Sequence, residues 1–263
     1  MGIKKNSKIR DFCKKKSPLI CLTAYTKYMA EILDEYCDLI LVGDSLGMVI
    51  YGEKNTSSVN LQTMINHGKA VRSGAVKSLI VVDMPKGTYE KSVSTAIKNA
   101  KRILKETNCD AVKVEGGTKV KKIIKALVKN NVPVMGHIGL LPQQVVNQSD
   151  YRVKGKTLDE EKIIIDDLIA IQESGAFSVV IEAVPKKLAN KLCNISTIPT
   201  IGIGASSKCD GQILVTEDML GYFDKNAKFV KKFANIKKII RKSVEKYSFD
   251  VNKRKFPTRN NMY

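Results

Sequence analysis

Asp44 in LVGDSLG, Asp83 in VVDMP, Lys113 and Glu115 in VKVEGG, His137 in MGHIG and Glu182 in VIEAV share one setting: each ends an apolar run. Carboxylates, an ammonium and an imidazole are the groups that bind hard cations and move protons. Asp44, Asp83 and Glu115, if brought together, would repel one another unless a cation lay among them. Their oxygen donors make Mg²⁺ the natural counter-ion, bound directly or through water. Lys113 beside Glu115 is either a plain ion pair or a fixed positive charge that steadies an oxyanion. Glu182 follows Val179, Val180 and Ile181, and the partial desolvation expected there would raise its pKa, which suits a general base. Taken singly, each residue also has a structural reading. Asp44 or Asp83 could cap the next helix, Lys113 and Glu115 could neutralise each other, and His137, with Gly136 and Gly139 beside it, could be a hydrogen-bonded core histidine. His67 in LQTMINHGKAV is read as structural.

Only a fold that gathers distant segments lets these groups meet. LICLTAY, DLILVGDS, LIVVDMP, DAVKVEGG, VPVMGHIG, FSVVIEAV and IPTIGIGAS read as strands buried on both faces, with QILVTED a weaker eighth. Between them KYMAEILDEY, VSTAIKNAKRILKE, KVKKIIKALVKN and EEKIIIDDLIAIQES have the period of amphipathic helices. This alternation is α/β architecture. No G-x-G-x-x-G follows the first strand, so a dinucleotide-binding open sheet lacks its marker. Seven or eight repeats instead suit a (β/α)₈ TIM-type barrel of parallel strands, in which the carboxyl ends of all strands meet on one face. The strand period of two then sends Ala111, Lys113 and Glu115 to the same side. One domain over residues 1–263 is expected, with 1–16 as a basic amino-terminal segment and about 226–263 as a C-terminal helical extension.

Composition bounds the partners. The 263 residues are 43% hydrophobic, enough to bury a large core. A net charge of +19 invites a nucleic-acid reading. The lysines, however, fall at the amino end, on the polar faces of expected helices and in the tail, without interleaved aromatics. With no Trp and 6% aromatic residues, a solvated surface is the better account. Six scattered cysteines without a C-x-x-C pair suggest free thiols in a reducing cytosol. No secretory apolar run and no span of about 20 apolar residues is visible, so a cytoplasmic protein with no membrane partner is expected.

Longer segments carry a resemblance. LTAY (Leu22–Tyr25), LILVGDSLGMV, VVDMP, VKVEGG, VPVMGHIGLLPQ (Val132–Gln143), VIEAVP and IPTIGIGAS-CDGQILV follow in order, and together they closely resemble the ketopantoate (3-methyl-2-oxobutanoate) hydroxymethyltransferase family. The likeness runs from about Ser17 almost to the carboxyl end. It implies a (β/α)₈ barrel that adds a hydroxymethyl group from 5,10-methylenetetrahydrofolate to 3-methyl-2-oxobutanoate, through a Mg²⁺-stabilised enolate, to give 2-dehydropantoate in pantothenate biosynthesis. By the same resemblance Asp44, Asp83 and Glu115 surround Mg²⁺. Asp44, Ser45, Asp83, Lys113 and His137 contact the 2-oxo acid, and Glu182 accepts the proton. A homo-oligomer, a decamer in many members, is implied as well.

Departures from the family pattern lie outside those positions. Thr26 stands where Asp is usual, Leu141 replaces Thr, Ser206 replaces Gly, and Val146–Tyr151 differs from the usual H-Q-L-G-G-Y. The rival readings are a Mg²⁺-dependent C–C or P–C bond lyase or mutase of the isocitrate lyase and phosphoenolpyruvate mutase type, and a basic nucleic-acid-binding protein.

Overall fold

The computed structural model describes residues 7–263; residues 1–6 of the basic amino end lie outside the described residues. Eight parallel strands close into a barrel in sequence order: β1 (Leu19–Thr23), β2 (Leu39–Val42), β3 (Leu79–Asp83), β4 (Ala111–Lys113), β5 (Val134–Gly139), β6 (Ser178–Glu182), β7 (Thr200–Ile203) and β8 (Gly211–Leu214). Pairing of β8 with β1 completes the closure. Every expected strand is present, the weak eighth included. Helix α1 (Ser7–Lys14) precedes β1. Helices α2 (Lys27–Leu33), α3 (Leu46–Val49), α4 (Leu61–Gly74), α5 (Val93–Thr107), α6 (Lys121–Lys129), α7 (Leu158–Glu173) and α8 (Lys186–Ile195) fill the connections up to β7. From β7 to β8 the chain returns through residues 204–210 without a helix, a break in the expected alternation.

Local chemistry explains where the helices begin. Thr26, Asn60, Ser92 and Thr157 each have extended backbone and accept an N–H from three residues on, which caps α2, α4, α5 and α7. Thr26 thus supplies the capping oxygen of α2.

The strand period divides the core in two. Ile40, Val42, Ile80, Val82, Val112 and Val134 point outward and pack under the helices. Leu39, Leu41, Leu79, Val81, Ala111, Met135 and Val180 point inward and fill the barrel. Ile9 and Phe12 of α1 join this inner cluster, and the Phe12 ring meets Phe177 edge-on at 6.0 Å between centroids. The basic amino-terminal segment therefore contains a helix that packs with the barrel interior.

A buried carboxylate fixes the approach to β3. Asp34, at the end of α2, accepts the backbone N–H groups of Val76, Lys77 and Ser78 at 2.7–3.0 Å. Burial pushes its pKa up, but these three donors outweigh burial and hold it down to about 2, against an ordinary 3.8. A depressed folded-state pKa contributes stability above the unfolded value, and that stability is lost as pH falls from about 4 through 2. Asp34→Asn turns an amide NH₂ toward donors, and we expect it to cost about 2–3 kcal/mol. The urea midpoint should fall with an unchanged slope, and the acid limb of the stability profile should flatten. A parental midpoint would show that water replaces the carboxylate without loss.

The chain divides into two compact units, one through Val215 and one from Thr216 to Tyr263; the second contains the expected extension. It holds α9 (Thr216–Leu220) and α10 (Ile236–Asn252), with Asn235 capping α10 through the Lys238 N–H and Tyr247 edge-on to Phe256. Among the described residues no helix is long and apolar enough to cross a membrane.

Candidate active site

Strand register brings the candidate groups together. Asp83 lies opposite Lys113 across β3 and β4, and Glu182 lies opposite Gly139 across β6 and β5. They share the inward parity of Val81, Ala111, Met135 and Val180, so they form the layer above the apolar filling. Two glycines make room. A Cβ on Gly43 would come within 2.8 Å of Ser45 Oγ, and one on Gly139 (φ +91) within 2.2 Å of the Glu182 carbonyl. Immediately after Glu182, Ala183 adopts φ 49, a left-handed turn that costs about 1 kcal/mol for a residue with a side chain.

The result is a buried cluster of charge. Lys113 Nζ lies 3.1 Å from Asp83 Oδ1, 4.0 Å from Glu115 Oε1 and 3.3 Å from His137 Nδ1. His137 stands between two carboxylates, with Nδ1 3.4 Å from Glu115 Oε1 and Nε2 3.2 Å from Glu182 Oε2. Asp44 donates its backbone N–H to Asp83 Oδ2 at 3.0 Å. Asp44, Asp83, Lys113, Glu115 and His137 are all buried, whereas the Glu182 side chain keeps 14% of its surface exposed. Ser45, at the start of α3, bonds the Tyr25 hydroxyl at 2.8 Å. His67 stands apart from the charged cluster, with Nδ1 2.7 Å from the Tyr25 carbonyl and Nε2 3.0 Å from the Tyr51 hydroxyl. A carbonyl only accepts, so Nδ1 carries a proton toward Tyr25.

Electrostatics follow from burial and crowding. Burial raises the Asp44 carboxyl well above its usual range, and repulsion from Asp83 and Glu115 adds to it. Burial also raises Asp83, despite the Lys113 ammonium and the Asp44 N–H. Glu115 goes the other way: burial is outweighed by His137 and Lys113, and its pKa is lowered. At His137, burial and Lys113 pull the imidazole down, but Glu115 and Glu182 outweigh them and lift it to about 9. Four carboxylates therefore face two cationic side chains. Such a site tends to take up a proton or a further cation.

Oxygen donors suit a hard divalent cation, and Asp83 Oδ1, although beside Lys113, receives no well-directed hydrogen bond. Yet among the described residues no three His, Cys, Asp or Glu groups are already spaced to hold an ion. Asp44, Asp83 and Glu115 converge as expected without forming a closed cage. Lys113 lies against Asp83 and Glu115, and Gln143 occupies Asp44 Oδ2 and Glu115 Oε2. This arrangement is compatible with Mg²⁺, which binds through one or two carboxylates while water or substrate fills the remaining positions.

Two residues of this cluster were not singled out from sequence. Gln143 follows Pro142 in a 3₁₀ turn (Pro142–Gln144) and is buried against Asp44. Tyr89 reaches it from the loop after β3, with its hydroxyl 2.9 Å from Gln143 Oε1. Gln143 closes the segment VPVMGHIGLLPQ, which was a usable signal; Tyr89 offered none.

Comparisons with known proteins identify relatives of the chain. Residues 4–259 match the family described as ketopantoate hydroxymethyltransferase. A 3-methyl-2-oxobutanoate hydroxymethyltransferase of Pelagibacter ubique is 50% identical over 260 residues, covering 98% of this chain and all of that protein. The enzyme of the same name from Rhizobium etli is 52% identical over 91% of this chain and 88% of its own length. Among solved structures, a 2,3-dimethylmalate lyase of the PEP mutase/isocitrate lyase superfamily is similar with a TM-score of 0.63 at 13% identity, covering 93% of this chain and 87% of that one. A phosphonopyruvate hydrolase in complex with oxalate and Mg²⁺ gives 0.63 at 11% identity, covering 99% and 93%. At such identities these two likenesses speak for the barrel fold alone.

Proposed function

The chain belongs to the ketopantoate hydroxymethyltransferase family, and from that premise we propose how the cluster at the barrel mouth performs the family's reaction. The enzyme transfers a hydroxymethyl group to 3-methyl-2-oxobutanoate, giving 2-dehydropantoate for pantothenate biosynthesis. We assign 5,10-methylenetetrahydrofolate as the one-carbon donor and the cytoplasm as the compartment. A homo-oligomer, a decamer by family resemblance, completes the proposal.

The observation that carries the reading is Glu182, partly open to solvent, beside His137 and a buried Lys113. Removing the C3 proton of a 2-oxo acid needs a base on one side and positive charge where the ketone oxygen becomes anionic. Glu182 is the base in this reading. His137 presents Nε2 to Glu182, 3.2 Å away, and keeps the carboxylate aimed. Lys113 supplies fixed charge next to Asp83 for the anionic oxygens of the substrate, and Ser45 and Asp44 flank it. Asp44, Asp83 and Glu115 would hold Mg²⁺, which when bound acts as a Lewis acid toward the keto and carboxylate oxygens. Overall, C3 exchanges its proton for a bond to the donor's methylene carbon, and both C–N bonds of that carbon break. Water supplies the hydroxyl oxygen, and the hydrogens of C3–H and water end on the hydroxyl and the two folate nitrogens as tetrahydrofolate leaves.

Proton exchange at C3 of 3-methyl-2-oxobutanoate in D₂O, followed by NMR with Mg²⁺ and tetrahydrofolate present, tests the assignment. We expect the C3–H signal to disappear with the protein and to persist once a chelator is added. Absence of exchange from folded protein would remove these residues from the role. Folate-independent turnover of phosphonopyruvate would instead favour a lyase or mutase.

A further inference from the structure

Gln143 and Tyr89 are both buried and use their polar groups on one another and on the carboxylates. Gln143 Nε2 donates to Asp44 Oδ2 at 2.8 Å and to the Met84 carbonyl at 3.0 Å. Its Oε1 accepts the Tyr89 hydroxyl at 2.9 Å, and its backbone N–H donates to Glu115 Oε2 at 3.0 Å. The Tyr89 hydroxyl also accepts the backbone N–H of Glu115 at 3.2 Å.

This wiring has a direction. A primary amide turned by half a revolution keeps its shape but exchanges donor for acceptor. Turned that way, Gln143 would aim its carbonyl oxygen at the Asp44 carboxylate and at the Met84 carbonyl, and both contacts would repel. Tyr89 favours the same orientation from the other end. Its oxygen accepts the Glu115 N–H, and its proton lies nearer Gln143 Oε1, at 2.9 Å, than the Glu115 carbonyl, at 3.4 Å. While Glu115 Oε1 faces His137 and Lys113, one residue thereby holds Asp44 Oδ2 and Glu115 Oε2. It does so without charge. An ammonium or guanidinium here would neutralise the acids and compete with any ion they hold, whereas a neutral amide orients them and preserves their negative excess.

We propose that Gln143, oriented by Tyr89, is a positioning residue that presets Asp44 and Glu115 for a divalent cation and so sets the affinity of the site for Mg²⁺. The proposal rests on the metal reading given above. Hydrogen-bonded partners of this kind raise metal affinity because the ligating carboxylates need no reorganisation on binding.

The test uses the full-length protein with Q143M, similar in size but without the amide, and Y89F, which removes only the hydroxyl. Mn²⁺ binding without substrate is followed by the electron paramagnetic resonance of the free ion. The Mg²⁺ dependence of C3 exchange is then measured. Q143M is expected to weaken Mn²⁺ binding about 10–100-fold, and Y89F less, in the same direction. The loss of exchange should be greatest at low Mg²⁺ and should shrink as Mg²⁺ is raised, which a purely structural defect would not do. Parental Mn²⁺ affinity in folded Q143M would overturn the role of Gln143. Should Q143M fail to fold, Y89F decides: parental affinity there overturns the orienting step. A parent protein that binds no Mn²⁺ would remove the metal reading itself, and this proposal with it.

Discussion

Glu182→Gln is expected to lower C3 exchange and product formation about 10²–10⁴-fold, the usual contribution of a positioned general base, while binding of 3-methyl-2-oxobutanoate stays close to parental. The amide keeps the shape of the carboxylate and its place beside His137 Nε2, but it cannot take a proton near neutral pH. The neighbours offer no substitute. His137 places Nδ1 between the Lys113 ammonium and Glu115, and Nε2 against Glu182. If the ring is charged, both N–H groups face carboxylates, at 3.4 Å and 3.2 Å. If it is neutral with Nδ1 accepting from Lys113, Nε2 still carries its proton toward Glu182. Neither form aims a lone pair at substrate, and a pKa raised to about 9 favours the charged one. Asp44, Asp83 and Glu115 are buried below the opening and committed to one another's neighbours. Single-turnover kinetics with calorimetric titration of the oxo acid separates the two effects. A near-parental exchange rate in the variant would take the base role from Glu182.

Much of this was legible in the chain because strand-end chemistry is local. A polar residue after an apolar run marks the end of a buried strand. Parity of two predicts which residues share its face, and Ala111 and Lys113 do share the inward face with Val81 and Met135. The eight strands were recognisable for the same reason. What escaped reading depends on tertiary packing. In α1, Ile9 and Phe12 are isolated among lysines, and only the barrel interior gives them a partner. Gln143 and Tyr89 come from loops after different strands, and nothing in their spacing says that an amide and a phenol will meet. The helix missing between β7 and β8 is a further case, since IGIGAS and QILVTED read as strands whatever connects them. Convergence of the three carboxylates was expected from residue types; among them stand a lysine whose position was predicted and a glutamine whose position was not.

Lys113→Met should do two separable things. In the parent, burial works against the ammonium, but the carboxylates of Asp83, Glu115 and Asp44 outweigh it and raise its pKa, so it remains charged. Its Nζ is the cation 3.1 Å from Asp83 and 4.0 Å from Glu115. Methionine keeps the length of the side chain and removes the charge. The buried carboxylates then lose their compensation, a change that typically costs about 3–5 kcal/mol when one partner of a buried pair is removed. Activity should fall as well, with kcat/KM about 10²–10³ lower, because fixed positive charge no longer meets the developing oxyanion. The two losses should respond differently to Mg²⁺. A divalent cation that binds only the folded state stabilises it in proportion to its affinity. With Lys113 gone, the carboxylates have one competitor fewer, so the thermal midpoint of the variant should rise more with added Mg²⁺ than the parent's does. The lost activity should not return, since the ion cannot occupy its own position and that of the ammonium at once. Thermal unfolding with and without Mg²⁺, beside steady-state kinetics at saturating Mg²⁺, reads both. Full recovery of kcat/KM by Mg²⁺ would mean that Lys113 only balances charge. A stability that ignores Mg²⁺ would mean that the carboxylates hold no ion.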